Sequence, residues 1–443
     1  MHILINLYYA DSARYFNYVY EHLLERDKNI AVTFVCFYPS AYLYLHRRGL
    51  HPIYLPSLLR QFPTPFDERH LSANIDELTY YNYLVMGQKP EYRSRLNLET
   101  KQCLLAYEKI IKDHSIDMMI SAGDTRLQTQ AAIAVAKSTK LSILYFEQGA
   151  FGTTILDPAG VNANVSFRND NCCTENNDQT PKKRPKKEQK APGTYTDSLD
   201  WQDNLAEKLD LFWHYPLPAM SSYLPLFTQS GESFRKFAIT RLKAKLKKIS
   251  PKVLPQKYLL FPLQMPKDAQ LVFHSPVFND IEEVVTIVTN CLPCDTALVI
   301  REHPNYKDRY PDAFYELIEN KSNVFLNNEN HLEECIQGSE AVIVVNSTVG
   351  IEALSFYKNV ILLGNAYYES DKVFHKVKSK GDLPRQIINA LTVTADHGAI
   401  DKHISHLLKY HLLPGHFRDI ELTGGEQVAE KIISTYTQGV QQP

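Results

Sequence analysis

The chain has 443 residues, room for two or three domains of about 150 residues each, which excludes a peptide or a small disulfide-held scaffold. With 44% hydrophobic and 22% charged residues it reads as a folded protein, and its 7 cysteines are too few and too scattered for a disulfide framework. Lys+Arg 48 against Asp+Glu 50 leaves a net charge of -2, so no global field gathers nucleic acid, and any polyanion must be met by a local patch.

The run from Met1 to Tyr9 is short and apolar without a basic leader, so it predicts a first strand rather than a signal peptide. No stretch approaches the roughly 18 to 20 apolar residues of a membrane-spanning helix. A cytoplasmic protein is expected, with any membrane contact peripheral, on the inner membrane. Strands are predicted at 2–7, 30–37, 116–121 and 141–146, and helical spacing covers Arg14 to Glu25, Thr100 to Lys112 and Leu127 to Lys137, the last after the turn Gly123-Asp124-Thr125. This alternation is that of a doubly wound α/β half. Residues 169–200, including the lysine-rich run Pro181 to Lys190, hold almost nothing to fill a core and predict a flexible basic insertion. Ser233 to Ile249 sets Phe234, Ala238, Leu242, Leu246 and Ile249 at spacings of four or three among Lys and Arg, predicting a basic amphipathic helix. The alternation then restarts at Lys257, with strands at 296–300, 323–326, 341–345 and 359–363. The expected organisation is an acceptor-side domain over 1–230, a linker helix over 231–256 and a nucleotide-binding domain over 257–443, whose last helices pack back on the first domain.

Four segments carry groups suited to chemistry, each at the end of an apolar run, where open α/β sheets bind ligands. Phe146-Glu147-Gln148-Gly149, followed by Asp157 to Asn162, places a carboxylate at the edge of the first half. Gln264 and Asp268 stand four residues apart after Phe261-Pro262, where Asp268 suits either a nucleophile or a helix cap. Arg301-Glu302-His303-Pro304 ends a strand with a cation, a carboxylate and an imidazole, and Pro304 fixes the turn. Asn346-Ser347-Thr348-Val349-Gly350-Ile351-Glu352 runs from a buried strand into a helix whose N–H groups suit a phosphate, with Gly350 permitting its close approach.

Taken together and in this order, these motifs resemble the Kps-type capsular polysaccharide synthesis proteins, over roughly residues 115 to 365. The resemblance implies a GT-B-like α/β fold, two Rossmann-like doubly wound domains facing a cleft, and a retaining transfer of β-Kdo from CMP-Kdo by double displacement. It is closer to the S-type member, which begins the Kdo linker on a lysophospholipid, than to the C-type member, which extends it. Carried onto this chain, it makes Asp268, with Gln264, the nucleophile and Glu147 the acceptor's base. Arg301, His303, Pro304, Asn346, Ser347, Thr348 and Glu352 would hold the nucleotide. Gly149, Asp157, Asn162 and Asp124 are the expected acceptor or sugar contacts. The chain departs from the S-type pattern after Glu147, reading Ala150-Phe151-Gly152 where an arginine and a proline stand.

No bound cofactor and no protein metal site are expected, and the arrangement does not require a divalent ion; Cys291-Leu-Pro-Cys294 is a single C-x-x-C without a partner pair. The partners implied are a nucleotide-sugar donor, a lysophospholipid or Kdo-bearing glycan acceptor, and an anionic membrane surface for the basic residues in 235–248, with no nucleic acid. The rival readings are a transferase using another donor, a CMP-nonulosonate or a UDP- or GDP-hexose, and a non-catalytic assembly protein.

Overall fold

The structure is a computed structural model and describes residues 1–62, 73–168, 195–246 and 253–441. The chain divides into two compact units, the first of Met1–Val161, Lys187–Phe237 and Leu412–Pro443 and the second of Asn162–Lys186 and Ala238–His411.

In the first unit the apolar runs form β1 (His2–Leu7), β2 (Ala31–Cys36), β3 (Ile53–Tyr54), β4 (Met118–Ala122), β5 (Ser142–Gln148) and β6 (Thr153–Asp157). They lie in the order β3-β2-β1-β4-β5-β6, with the short strand Leu413–Pro414 beyond β6. The first five are parallel, while β6, a strand the apolar runs did not predict, returns antiparallel to β5 through a tight hairpin. The strands read as continuous apolar runs because both faces are covered. Alternate residues serve opposite faces: Leu4 and Met119 enter one core, and Ile3, Ile5, Met118 and Ile120 another. Val428, Ala429 and Ile432 of the last helix, Gly425–Gln441, join that second core, whereas the preceding helix, His397–Tyr410, stays in the second unit.

The second unit holds β7 (Tyr258–Pro262), β8 (Ala297–Arg301), β9 (Val324–Leu326), β10 (Ala341–Val344), β11 (Asn359–Leu362) and β12 (Phe374–Lys376). All are parallel, in the order β9-β8-β7-β10-β11-β12. The two sheets therefore share one strand order, each reversing between its first and fourth strands. That reversal opens a crevice at the carboxyl ends of those strands.

One expectation changes. Of 169–200, residues 169–194 lie outside the described residues. The remainder is built: Leu199 is buried, Tyr195 bonds to Glu207, and Asp200 caps the helix Trp201–His214 by accepting the Asp203 N–H at 2.7 Å. The apolar and capping residues at the end of that segment make it part of the fold. The expected basic helix runs over Phe234–Leu246, and its first turn packs, Phe234 stacking on Phe212 and Phe237 on Tyr215 with centroids 5.2 and 4.1 Å apart. Of its apolar residues Leu242 is 61% exposed and Ile239 45%, and residues 247–249 lie outside the described residues.

Candidate active site

In the second unit the crevice between β7 and β10 is bridged by side chains. The loop after β7 supplies Gln264, which is buried and donates from Nε2 to Asn346 Oδ1 at 2.9 Å, while its Oε1 accepts the Asn346 backbone N–H at 3.4 Å. Asn346, on the loop after β10, donates from Nδ2 to the Gln270 carbonyl at 2.9 Å, and the Tyr310 hydroxyl donates to the Gln264 carbonyl at 3.0 Å. Paired amides satisfy both buried side chains and hold the two loops in register.

Asp268 stands at the start of the helix Ala269–His274, its Oδ1 accepting the Gln270 N–H at 2.8 Å. Capping fixes the direction of the carboxylate, so of the two roles weighed for this residue the helix cap is the one seen. Gln270 was not among the predicted site residues, yet its N–H holds Asp268, its carbonyl receives Asn346 and its Nε2 donates to Asn162. The available signal was its place two residues beyond a capping carboxylate. Its Oε1 is buried with no hydrogen-bond partner among the described residues.

Asn162 was grouped with Asp157 in the sequence, but it lies in the second unit with Gln270. Its φ of 55° is left-handed, a conformation that asparagine tolerates better than most residues. The segment that follows is clamped by Arg168, which donates from Nε to Glu369 at 2.8 Å, while Lys376 reaches the other Glu369 oxygen at 2.9 Å.

His303 precedes the 3-10 turn Pro304–Tyr306, and its Nδ1 accepts the Asn305 N–H at 3.2 Å. That bond leaves the proton on Nε2. Burial lowers the His303 pKa, and the negative charge of Asp268 partly opposes the shift. The imidazole is thus a neutral donor beside a carboxylate. Glu302 is a buried anchor: it accepts from Asn328 Nδ2 at 2.6 Å, from the Asp308 N–H at 3.2 Å and from the Tyr315 hydroxyl, and burial raises its pKa. Arg301 donates from Nη1 to the Asn330 carbonyl at 2.6 Å, bracing the loop after β9.

The Asn346-Ser347-Thr348 turn differs from its expectation. The helix after it, Val349–Leu354, has 6 residues, too few to gather much of a dipole. Two of its leading N–H groups are already used, Val349 by Ser347 Oγ at 3.3 Å and Gly350 by the Ser347 carbonyl at 2.9 Å. The close approach at Gly350 is internal: a Cβ there would lie 2.6 Å from the Tyr368 hydroxyl, which bonds to the Ser347 carbonyl. Ser347, Thr348 and Glu352 are partly exposed.

In the first unit Glu147 is the penultimate residue of β5, opposite Ile155, and its Oε1 accepts the Gln148 N–H at 2.9 Å. The glycine at 149 has an internal reason: a Cβ would collide with Thr153 Oγ1, and the Gly149 N–H donates to the Thr153 carbonyl at 2.8 Å to close the hairpin. Asp157 is buried and accepts the Ala159 N–H at 2.8 Å; Asp124 is buried and accepts the Val161 N–H at 3.4 Å. These are backbone-holding contacts of the loops that follow β6 and β4. Among the described residues no three His, Cys, Asp or Glu side chains cluster as metal ligands, and no helix is long and apolar enough to cross a membrane.

Residues 117–373, more than half of the chain, match the profile of the family described as capsule polysaccharide biosynthesis protein. Among curated proteins, the chain is 33% identical over 153 residues to Protein FixF of Sinorhizobium fredii, covering 32% of this chain and 36% of that one. It is 33% identical over 141 residues to the capsule polysaccharide export protein KpsS of Escherichia coli, covering 29% and 36%. The capsule polysaccharide modification protein LipB of Neisseria meningitidis is 26% identical over 289 residues, 59% of this chain and 67% of that one. The match thus spans little more than a third of the length of the first two relatives. Among solved structures, Thermosulfurimonas dismutans KpsC, a beta Kdo 2,7 transferase, aligns with TM-score 0.37 and 15% identity over 74% of this chain and 89% of that one. Methanocaldococcus jannaschii UDP-GlcNAc 2-epimerase aligns with TM-score 0.35 and 13% identity, covering 93% and 100%.

Proposed function

The chain belongs to the capsule polysaccharide biosynthesis protein family, and from that premise we propose that it is a retaining glycosyltransferase moving β-Kdo from CMP-Kdo to a lipid or glycan acceptor. The observation that carries this reading is the Gln264–Asn346 bridge at the reversal of the second sheet, with Asp268 aimed by the Gln270 N–H and His303 near enough to feel its charge. The donor's anomeric carbon carries a carboxylate and a phosphate leaving group, so departure needs N–H donors on the phosphate and a nucleophile on the opposite face.

In the proposed reaction Asp268 attacks the anomeric carbon, the bond to the phosphate oxygen breaks, and CMP leaves with that electron pair. The neutral imidazole of His303 donates from Nε2 to the departing phosphate. In the second step Glu147 takes the proton of the acceptor hydroxyl, whose oxygen displaces Asp268 from the anomeric carbon. Two inversions give net retention. A donor site needing no bound cofactor or divalent ion, peripheral attachment to an anionic inner-membrane surface through the basic residues in 235–248, and a lysophospholipid or Kdo-terminated acceptor belong to the same proposal.

The test is incubation of the purified chain with CMP-Kdo generated in situ and lysophosphatidylglycerol or a Kdo-terminated glycan, with products followed by mass spectrometry and anomeric NMR. A β-linked Kdo product is expected, and Asp268→Ala is expected to abolish it while the protein stays folded. Absence of CMP binding by calorimetry overturns the donor, and full product formation by Asp268→Ala overturns the nucleophile.

A further inference from the structure

The first sheet reverses between β1 and β4, as the second does between β7 and β10, and the loop after β4 carries Arg126. Tyr8 and Tyr9 follow β1, Tyr38 follows β2, and Arg126 follows β4 at the start of the helix Leu127–Ser138. The tyrosine rings form a wall: Tyr9 and Tyr38 have centroids 4.6 Å apart, and Tyr8 and Tyr9 6.1 Å. Tyr81, from the helix Ile75–Val85, adds a further ring, with the Arg126 guanidinium carbon 5.7 Å from its centre. The Leu127 N–H donates to Asn82 Oδ1 at 2.8 Å, which fixes the start of the arginine's helix against the helix that carries Tyr81.

Arg126 is partly buried, and its main electrostatic neighbours are Tyr81, Tyr8, Tyr38 and Tyr9. Among the described residues no carboxylate or carbonyl accepts a hydrogen bond from its guanidinium. The acids that Tyr9 feels are otherwise committed: Asp11 pairs with Arg418 at 2.8 Å, and Asp210 is buried, accepts the Ser40 N–H at 3.1 Å, and has its pKa pushed up to about 8, so it carries little charge at neutral pH. In the same first helical turn Gln128 is wholly buried, and neither of its amide atoms has a hydrogen-bond partner among the described residues. A buried amide with both atoms unsatisfied is rare in a folded protein and calls for water or a ligand to complete it, and the half-buried guanidinium beside it keeps donors for the same purpose. Guanidinium forks match phosphate and carboxylate oxygens, and tyrosines offer ring faces and hydroxyl donors to the body of such a ligand.

We propose that Arg126, ringed by Tyr8, Tyr9, Tyr38 and Tyr81, is a binding site for an oxyanion, a phosphate or a sugar carboxylate, carried by the acceptor. Naming the ligand as the acceptor rests on the transferase reading; the anion site stands on the first unit alone.

The full chain is titrated calorimetrically, without donor, against sn-glycerol 3-phosphate and against the methyl β-glycoside of Kdo. One of the two is expected to bind, phosphate pointing to a lipid headgroup and carboxylate to a glycan end. Arg126→Gln is expected to weaken that binding tenfold or more and Arg126→Lys severalfold, since losing one charge-assisted contact costs about 1.5–3 kcal/mol. Both variants should hold CMP as tightly as the parent chain. Binding of neither anion, or undiminished binding by both variants, overturns the site; should Arg126→Gln fail to fold, undiminished binding by Arg126→Lys alone overturns it. Loss of CMP binding in the parent chain would count against the donor reading and leave the anion site standing.

Discussion

At the level of single residues, the loops of the second unit are held by small polar groups that satisfy one another. Asn346→Ala removes the partner of the buried Gln264 amide and the donor to the Gln270 carbonyl. Leaving such groups unpaired costs about 1–3 kcal/mol each, so the urea midpoint of the second unit should fall markedly, whereas an unchanged midpoint would mean that water replaces the lost partner. Gly350→Ala drives a methyl group against the Tyr368 hydroxyl at 2.6 Å, and overpacking of this kind costs about 1–3 kcal/mol. Adding Tyr368→Phe removes the obstructing oxygen. The double variant should therefore recover part of the loss by thermal melting, a coupling expected only of residues in contact.

At the level of elements, helices are placed by a few directional contacts. The helix His397–Tyr410 docks through His403, which is buried and bonds to the Tyr368 carbonyl at 2.7 Å. Burial lowers its pKa to about 4, so the folded state holds the imidazole neutral while the unfolded chain protonates near the ordinary 6.5. Below pH 6.5 the unfolded state binds the extra proton, so stability is present above that value and is lost as pH falls toward 4, by up to about 3 kcal/mol. His403→Gln should flatten that acid limb in chemical denaturation. The helix Phe234–Leu246 shows the opposite case, an element anchored at one end with Leu242 exposed and Lys and Arg along its length. Replacing Arg235, Lys236 and Arg241 by glutamate should weaken co-sedimentation with anionic vesicles, since each basic residue near such a surface is worth about 1 kcal/mol; equal sedimentation removes the membrane role.

At the level of the whole molecule, the two units carry separate cores and should respond to pH with opposite signs. In the first unit burial raises the Asp210 pKa to about 8 from its ordinary 3.8, so the folded state keeps a proton that the unfolded chain gives up. This contribution is complete below pH 3.8 and is lost as pH rises through about 8, at no more than about 1.4 kcal/mol per pH unit. Calorimetry of the intact chain should show the first unit's transition falling between pH 6 and 8, and Asp210→Asn, which mimics the protonated group, should reduce that slope to the part due to Glu99, whose pKa burial raises to about 7.

Local signals in the chain determined β1, β2, β4, β5 and β7 to β11 and the motifs at their ends, because a strand buried on both faces needs an uninterrupted apolar run and Pro, Gly and Asn mark where it stops. Gln264, Asp268, His303 and Asn346 were legible because each follows such a run. The two-residue strand Ile53–Tyr54, the antiparallel β6 and the helix Ile75–Val85 were not, since short edge strands and weakly patterned helices take their form from neighbours rather than from periodicity. Tertiary structure alone decided that Asn162 stands with Gln270, that Gly350 makes room for Tyr368, that Arg301 braces Asn330, and that Arg126 meets four tyrosines. These are contacts between residues distant along the chain, and they follow from strand order and loop register, which no local pattern encodes.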